Sequence, residues 1–173
     1  MSALIAYFSR SHQNYVNGSI VNLAVGNTEV AARKLQQLTG AALFKIEPVQ
    51  EYAEDYQTCI RQAKEDLRQD ARPELQAYPE SLDAYDTIYL GYPNYWGTMP
   101  MAVRTFLDHF DFTGKTIRPF CTHEGSGMGK SERDLASLAP EAKLDCGLAI
   151  HGADVRQADE ALACWAGLAD GNV

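Results

Sequence analysis

Ser9, Arg10 and Ser11 stand at the end of an apolar run, Ala3-Leu4-Ile5-Ala6-Tyr7-Phe8. Gly26, Asn27 and Thr28 stand just before a stretch in which Ala31, Leu35 and Leu38 recur at helical spacing. Setting aside the fourteen residues His12 to Val25 joins the two groups into one hydroxyl-rich turn between a strand and a helix. Such a turn suits an anion, because the first N–H groups of a helix have no intrahelical partner and the helix dipole is positive there. The hydroxyls of Ser9, Ser11 and Thr28 add donors, so the expected ligand carries phosphate. Asn27 and Thr28 are equally ordinary residues for capping a helix, so this turn alone does not separate a ligand site from a cap.

Two further segments point the same way. Gly91-Tyr92-Pro93-Asn94-Tyr95-Trp96-Gly97-Thr98-Met99-Pro100 follows the strand candidate Thr87-Ile88-Tyr89-Leu90. It runs into a helix, with Thr98 placed to cap, Pro100 in the first turn, and Val103, Phe106, Leu107 and Phe110 on one face. Tyr92, Tyr95 and Trp96 in one loop suit stacking on a flat ligand, whereas a single aromatic there would be expected to lie on the neighbouring helix. Cys121-Thr122-His123-Glu124-Gly125-Ser126-Gly127-Met128-Gly129 follows another strand candidate, Thr116-Ile117-Arg118-Pro119-Phe120. Its alternating glycines allow close backbone approach to a ligand, with Thr122 and Ser126 beside them. Ser131 and Asp134 resemble a capping box for the next helix.

The elements that must position these loops alternate strand and helix along the chain. Ala42 to Ile46 reads as the second strand, and Tyr56, Ile60, Ala63 and Leu67 mark a long amphipathic helix. Residues 70–85, with Pro73 and Pro79, connect to the third strand. The fifth strand lies within Leu144 to Ile150, and Val155, Ala158, Leu162 and Trp165 form a last helical stripe that places Trp165 in the core. Right-handed crossovers then give a parallel sheet with helices on both faces, and the three loops meet at the carboxyl ends of its strands, where ligands of open α/β sheets bind.

At this point the chain resembles the flavodoxin-like family over nearly its whole length, most specifically in Gly91 to Leu107, GYPNYWGTMPMAVRTFL. The resemblance implies a three-layer α/β sandwich with a five-stranded parallel sheet of order 2-1-3-4-5, one domain over residues 1–173, and FMN as cofactor. It implies that Ser9, Arg10, Ser11, Asn27 and Thr28 hold the phosphate and that Trp96 covers one face of the isoalloxazine ring. Pro93, Asn94, Tyr95 and Gly97 would shape the ring edge, and Thr122, Glu124, Gly125, Ser126 and Gly127 would line the other side. The later glycine loop offers only His123 as a second ring. An open flavin face would admit a nicotinamide or a quinone, unless Tyr15 closes it. Residues 12–25 read as an insertion in the phosphate turn, with Asn17-Gly18 signalling a short hairpin that either folds over the crevice as a lid or projects into solvent.

The remaining features bound the function. The chain has 173 residues, 46% of them hydrophobic, enough for one good core. Its net charge of −8 with no basic cluster argues against a nucleic-acid partner. The same acidity suits steering toward a basic redox partner, or serves solubility alone. Cys59, Cys121, Cys146 and Cys164 are scattered without metal-ligand spacing and read as reduced, mostly buried thiols, with no metal site expected. Nothing in the chain reads as an export or membrane segment, so a cytoplasmic protein is expected, with either a partner protein or a small molecule as electron donor and acceptor.

The expected role is electron transfer, with an FMN-dependent NAD(P)H or quinone reductase as the alternative and a cofactor-free α/β binding module as a second. No general acid or base stands out. A receiver domain would need clustered carboxylates where Ser9-Arg10 stands, and a P-loop would need a glycine where Glu124 stands.

Overall fold

The computed structural model describes residues 2–168. Met1 and residues 169–173, which the domain reading includes, lie outside the described residues. The chain opens with β1 (Ala3–Tyr7), a hairpin of β2 (His12–Val16) and β3 (Ser19–Leu23), α1 (Asn27–Thr39), β4 (Ala42–Lys45) and α2 (Tyr56–Arg68). It continues with β5 (Thr87–Pro93), α3 (Met101–His109), β6 (Thr116–His123), α4 (Ser131–Leu138), β7 (Lys143–Leu144) and β8 (Leu148–His151). A 3-10 turn (Gly152–Gln157) and α5 (Asp159–Trp165) close it.

The main sheet is parallel, ordered β4-β1-β5-β6, with β7 and β8 both beside β6. Counted by position this is 2-1-3-4-5, but the fifth strand is broken into two short pieces. Ile117 pairs with Leu144 and Phe120 with Leu148, so Arg118 and Pro119 face the three residues Asp145, Cys146 and Gly147, which is a bulge. Pro119 explains the break. The Asp145 N–H donates to the Ile117 carbonyl, so Ile117 and Pro119 direct their backbone polar groups to this edge, and proline has no N–H to offer there.

Alternation along each strand builds two cores, one on each face of the sheet. Leu4, Ala6, Ile88, Leu90, Tyr92 and Ile117 pack against Ala102, Val103 and Phe106 of α3 and Leu135 of α4. Ile5, Tyr7, Tyr89, Phe120 and Ile150 pack against Ala31, Ala32 and Leu35 of α1 and Leu162 of α5. The result is an α/β fold with helices on both faces of a parallel sheet. Trp165 packs edge-on against Tyr89 and Phe120, with ring centroids 5.6 and 6.0 Å away, as the helical stripe predicts. None of the described helices is long and apolar enough to cross a membrane.

Several local expectations change. β5 and β6 run three residues beyond the expected strands, which moves Tyr92 out of the loop and into the core, fully buried with its hydroxyl donating to Ser131 Oγ at 2.9 Å. The expected caps are occupied elsewhere. Thr98 donates to Asp134 Oδ2 at 2.7 Å, Arg104 donates to the same oxygen at 3.1 Å, and Ser131 donates to the Met128 carbonyl at 2.6 Å. The helices they were expected to cap have Pro100 and Lys130 at their N-cap positions, neither making a side-chain cap bond. By contrast, Asp55 caps α2, accepting from the Thr58 N–H at 2.8 Å, a contact worth about 1 kcal/mol. Cys59 and Cys121 are buried but Cys146 and Cys164 are exposed, so only half of the thiols match the buried reading.

Candidate functional site

The ends of β1, β5 and β6 open into one cavity of about 460 Å³. At one end is the start of α1, where Gly26 occupies the N-cap position without a side-chain cap. Ser9 acts as the cap from outside the helix, its Oγ accepting the Glu29 N–H at 3.0 Å. That contact uses an acceptor of Ser9 and leaves its O–H free to donate, alongside the N–H groups of Asn27 and Thr28, the first two helical residues. A Cβ on Gly26 would collide with Ser9 Oγ and the Arg10 carbonyl, so only glycine lets the helix start sit this close to the end of β1. The Thr28 and Thr122 hydroxyls, both buried, lie 2.7 Å apart and tie this turn to the end of β6.

At the other end is the turn Tyr95–Thr98, closed by backbone bonds of 2.8 and 3.3 Å between those two residues. Trp96 and Gly97 both have positive φ, 56° and 84°, which suits glycine and is uncommon for a bulky residue. The turn holds the indole out at 46% exposure, its Nε1–H donating to the Ile60 carbonyl at 2.8 Å and Lys64 Nζ 5.0 Å from its ring. Asn94 braces this loop, donating to the Gly127 carbonyl and accepting from the Gly97 N–H, each at 2.9 Å. Tyr95 packs edge-on against Phe8 and Tyr52, and burial holds its phenol well above the ordinary range.

The hairpin β2–β3 leans over the cavity, its turn formed by Asn17 and Gly18 with φ of 51° and 86°. Tyr15 stacks on Tyr56 of α2, with ring centroids 6.0 Å apart, and the Asn17 N–H donates to Glu124 Oε2 at 2.8 Å. His123 lies beside His151, with rings 5.7 Å apart, and accepts the Gly125 N–H on Nδ1 at 2.9 Å. Burial, and then the neighbouring His151, hold the His123 imidazole below its ordinary pKa.

The flavodoxin family model matches residues 3–167. The chain belongs to the flavodoxin family. A protein of Bacteroides eggerthii described as a flavoprotein is 27% identical, with TM-score 0.72 over 94% of this chain and 98% of that one. A Lactobacillus acidophilus flavoprotein, solved in complex with FMN, is 18% identical, with TM-score 0.66 over 90% and 97%. Oxidised flavodoxin 2 of Bacillus cereus is 19% identical, with TM-score 0.52 over 96% and 99%, and these last two show likeness of fold. No curated protein matches the chain.

In this flavodoxin-family chain Ser9, Arg10, Asn27, Thr28, Pro93, Asn94, Tyr95, Trp96, Gly97, Thr122, Glu124 and Ser126 all line the cavity. Ser11, Gly125 and Gly127 do not. The Ser11 carbonyl accepts from Asn14 at the base of the hairpin, and the two glycines bend the later loop at φ 127° and 62°. Arg10 lines the wall, but its guanidinium is turned to backbone carbonyls, bonding Gln13, Ala53 at 2.7 Å and Glu54 at 2.8 Å. Its charge therefore does not serve the start of α1, because those carbonyls hold it.

The wall also contains Tyr56, Ile60 and Ala63 of α2, which periodicity marked as one stripe of an amphipathic helix, with Cys59 of the same helix and Gly152, for which the sequence gives no signal. Burial pushes the Cys59 thiol above its ordinary pKa.

Proposed function

We propose that this flavodoxin-family protein binds FMN in the cavity and acts in electron transfer. The observation that supports this best is the meeting, in one cavity, of an uncovered helix start and a turn that holds Trp96 outward. The residues present fit the two ends of FMN. Neutral donors, namely the N–H groups of Asn27 and Thr28 and the hydroxyls of Ser9 and Thr28, suit the phosphate, with the α1 dipole supplying the favourable field. Trp96, Tyr15 and the apolar side chains of Tyr56 and Ile60 suit a flat ring. When bound, FMN supplies one- and two-electron chemistry, and the chain supplies orientation, exclusion of water and the polarity around the ring. The L. acidophilus flavoprotein solved with FMN shares this fold and supports the reading.

A second reading, an FMN-dependent reductase of small molecules, is favoured by the hairpin. Tyr15 of the hairpin stacks on Tyr56 of α2 at the cavity wall and is itself exposed, an aromatic surface against which a small flat acceptor would be held. Titrating the FMN-free protein with FMN, with Trp96→Ala alongside, tests the cofactor reading, which requires tight binding that the substitution weakens. Anaerobic mixing with NADH or NADPH, then with a quinone, separates the two roles. Slow reduction by nicotinamide supports a carrier served by a partner protein, and fast reduction followed by fast oxidation supports the reductase.

A further inference from the structure

The hairpin is fastened at both ends to distant parts of the chain. At its base, Gln13 Oε1 accepts the Tyr56 N–H at 3.0 Å, and the Arg10 guanidinium joins Gln13 to the Ala53 and Glu54 carbonyls. Its tip has one anchor of a different kind, the carboxylate of Glu124, reached across 107 residues of sequence. Glu124 Oε2 accepts the Asn17 N–H at 2.8 Å, with His151 Nε2 3.6 Å from the same oxygen. Glu124 Oε1 is buried and has no hydrogen-bond partner among the described residues.

A buried carboxylate oxygen without a donor carries its full desolvation penalty, so this position is set for a donor that the described residues do not supply. Its location says which donor. Glu124 lines the cavity, and Oε1 lies close to Asn27 Nδ2 across Gly152, where a Cβ would collide with both. Asn27 is the first residue of α1. The vacant acceptor thus sits one short step from the phosphate-type end of the cavity. A second anion is repelled there, whereas the uncharged hydroxyl of a polyol next to a phosphate is suited to it.

We propose that Glu124 is a positioning residue that couples the polyol hydroxyls of the bound ligand to closure of the hairpin. Oε1 accepts a ligand hydroxyl while Oε2 holds the Asn17 N–H, so that filling the cavity fixes the tip and with it Tyr15 over the ring. This rests on the FMN reading, whose ribityl chain carries such hydroxyls next to the phosphate.

The test is hydrogen exchange of the full chain over residues 12–25, without ligand, with inorganic phosphate and with FMN, with binding followed separately by flavin fluorescence. FMN should slow exchange of the hairpin amides by roughly tenfold or more, the factor expected of one hydrogen bond to a charged group. Inorganic phosphate, which lacks hydroxyl-bearing carbons, should not. Glu124→Ala should bind FMN more weakly and, at saturating FMN, lose this protection. Glu124→Gln, whose amide can still accept from Asn17 and donate to a hydroxyl, should keep most of it, which a purely structural carboxylate would not predict. Bound FMN with an unprotected wild-type hairpin, equal protection by phosphate, or full protection in Glu124→Ala would overturn the proposal. If Glu124→Ala does not fold, the wild-type comparison of FMN with phosphate still decides. Failure of FMN to bind at all would overturn the cofactor reading first and this proposal with it.

Discussion

The contact between Thr28 and Thr122 joins the start of α1 to the end of β6, and removing either hydroxyl should expose how much that junction contributes. The two oxygens lie 2.7 Å apart and both residues are nearly inaccessible, at 2% and 4%. In Thr28→Val the Thr122 hydroxyl is left buried without its partner, and in Thr122→Val the reverse holds. An orphaned buried group of this kind costs about 1–3 kcal/mol, while replacing both partners by apolar groups of the same shape is nearly neutral. Each single variant should therefore lower Tm by roughly 2–12 °C, taking about 2–4 °C per kcal/mol for a chain of this length. The double variant should be no worse than either single one. Thermal and urea unfolding of the FMN-free protein measure the cycle, and simple additivity of the two losses would refute the pairing. FMN affinity gives an independent check. Without the Thr28 hydroxyl the phosphate loses a donor worth about 1.5–3 kcal/mol, so Kd should rise roughly 10- to 150-fold even in the double variant. Unchanged affinity there would refute placement of the phosphate at the start of α1.

Gly26→Ala forces a methyl into Ser9 Oγ and the Arg10 carbonyl, one of them backbone that cannot swing away. It should lower the urea midpoint by the equivalent of about 1–3 kcal/mol, and an unchanged midpoint would show that the helix start can shift. Arg10→Met leaves the Gln13, Ala53 and Glu54 carbonyls without their shared donor. Cleavage within residues 12–25 by a limiting amount of protease should then speed up severalfold, and resistance equal to wild type would refute the role of Arg10 at the hairpin base. His123 is held below its ordinary pKa by burial and by His151, so the folded chain takes up its proton less readily than the unfolded one. Its contribution to stability is present above the ordinary histidine range and is lost as pH falls through the lowered folded value. Protonation of Nδ1 also removes the acceptor for the Gly125 N–H. An NMR titration should place its midpoint below that of an unfolded peptide, and a midpoint at or above it would overturn this reading.

The layered fold was legible because alternation and helical spacing report which positions avoid water, and in this chain they did so strand by strand. The same signals fail wherever two different destinations look alike from one segment. Tyr56, Ile60 and Ala63 have the spacing of a core stripe, yet they face a cavity, since an apolar cavity wall and a core make the same demand on residue type. Thr98, Ser131 and Asp134 have the types and spacing of helix caps, but Asp134 receives Thr98 and Arg104 from another helix and its lead-in. A charge-assisted tertiary bond outcompetes a neutral local one. Arg10 reads as a phosphate ligand from its neighbours in sequence, and only the fold brings the carbonyls of residues 53 and 54 to its guanidinium. The broken fifth strand follows from Pro119 on its neighbour, a residue that weakens the adjacent edge rather than its own. What local reading misses here is thus of one physical kind. Polar groups choose partners by strength and geometry over the whole molecule, and that choice turns Glu124, a member of a glycine loop by sequence, into the anchor of a hairpin 107 residues away.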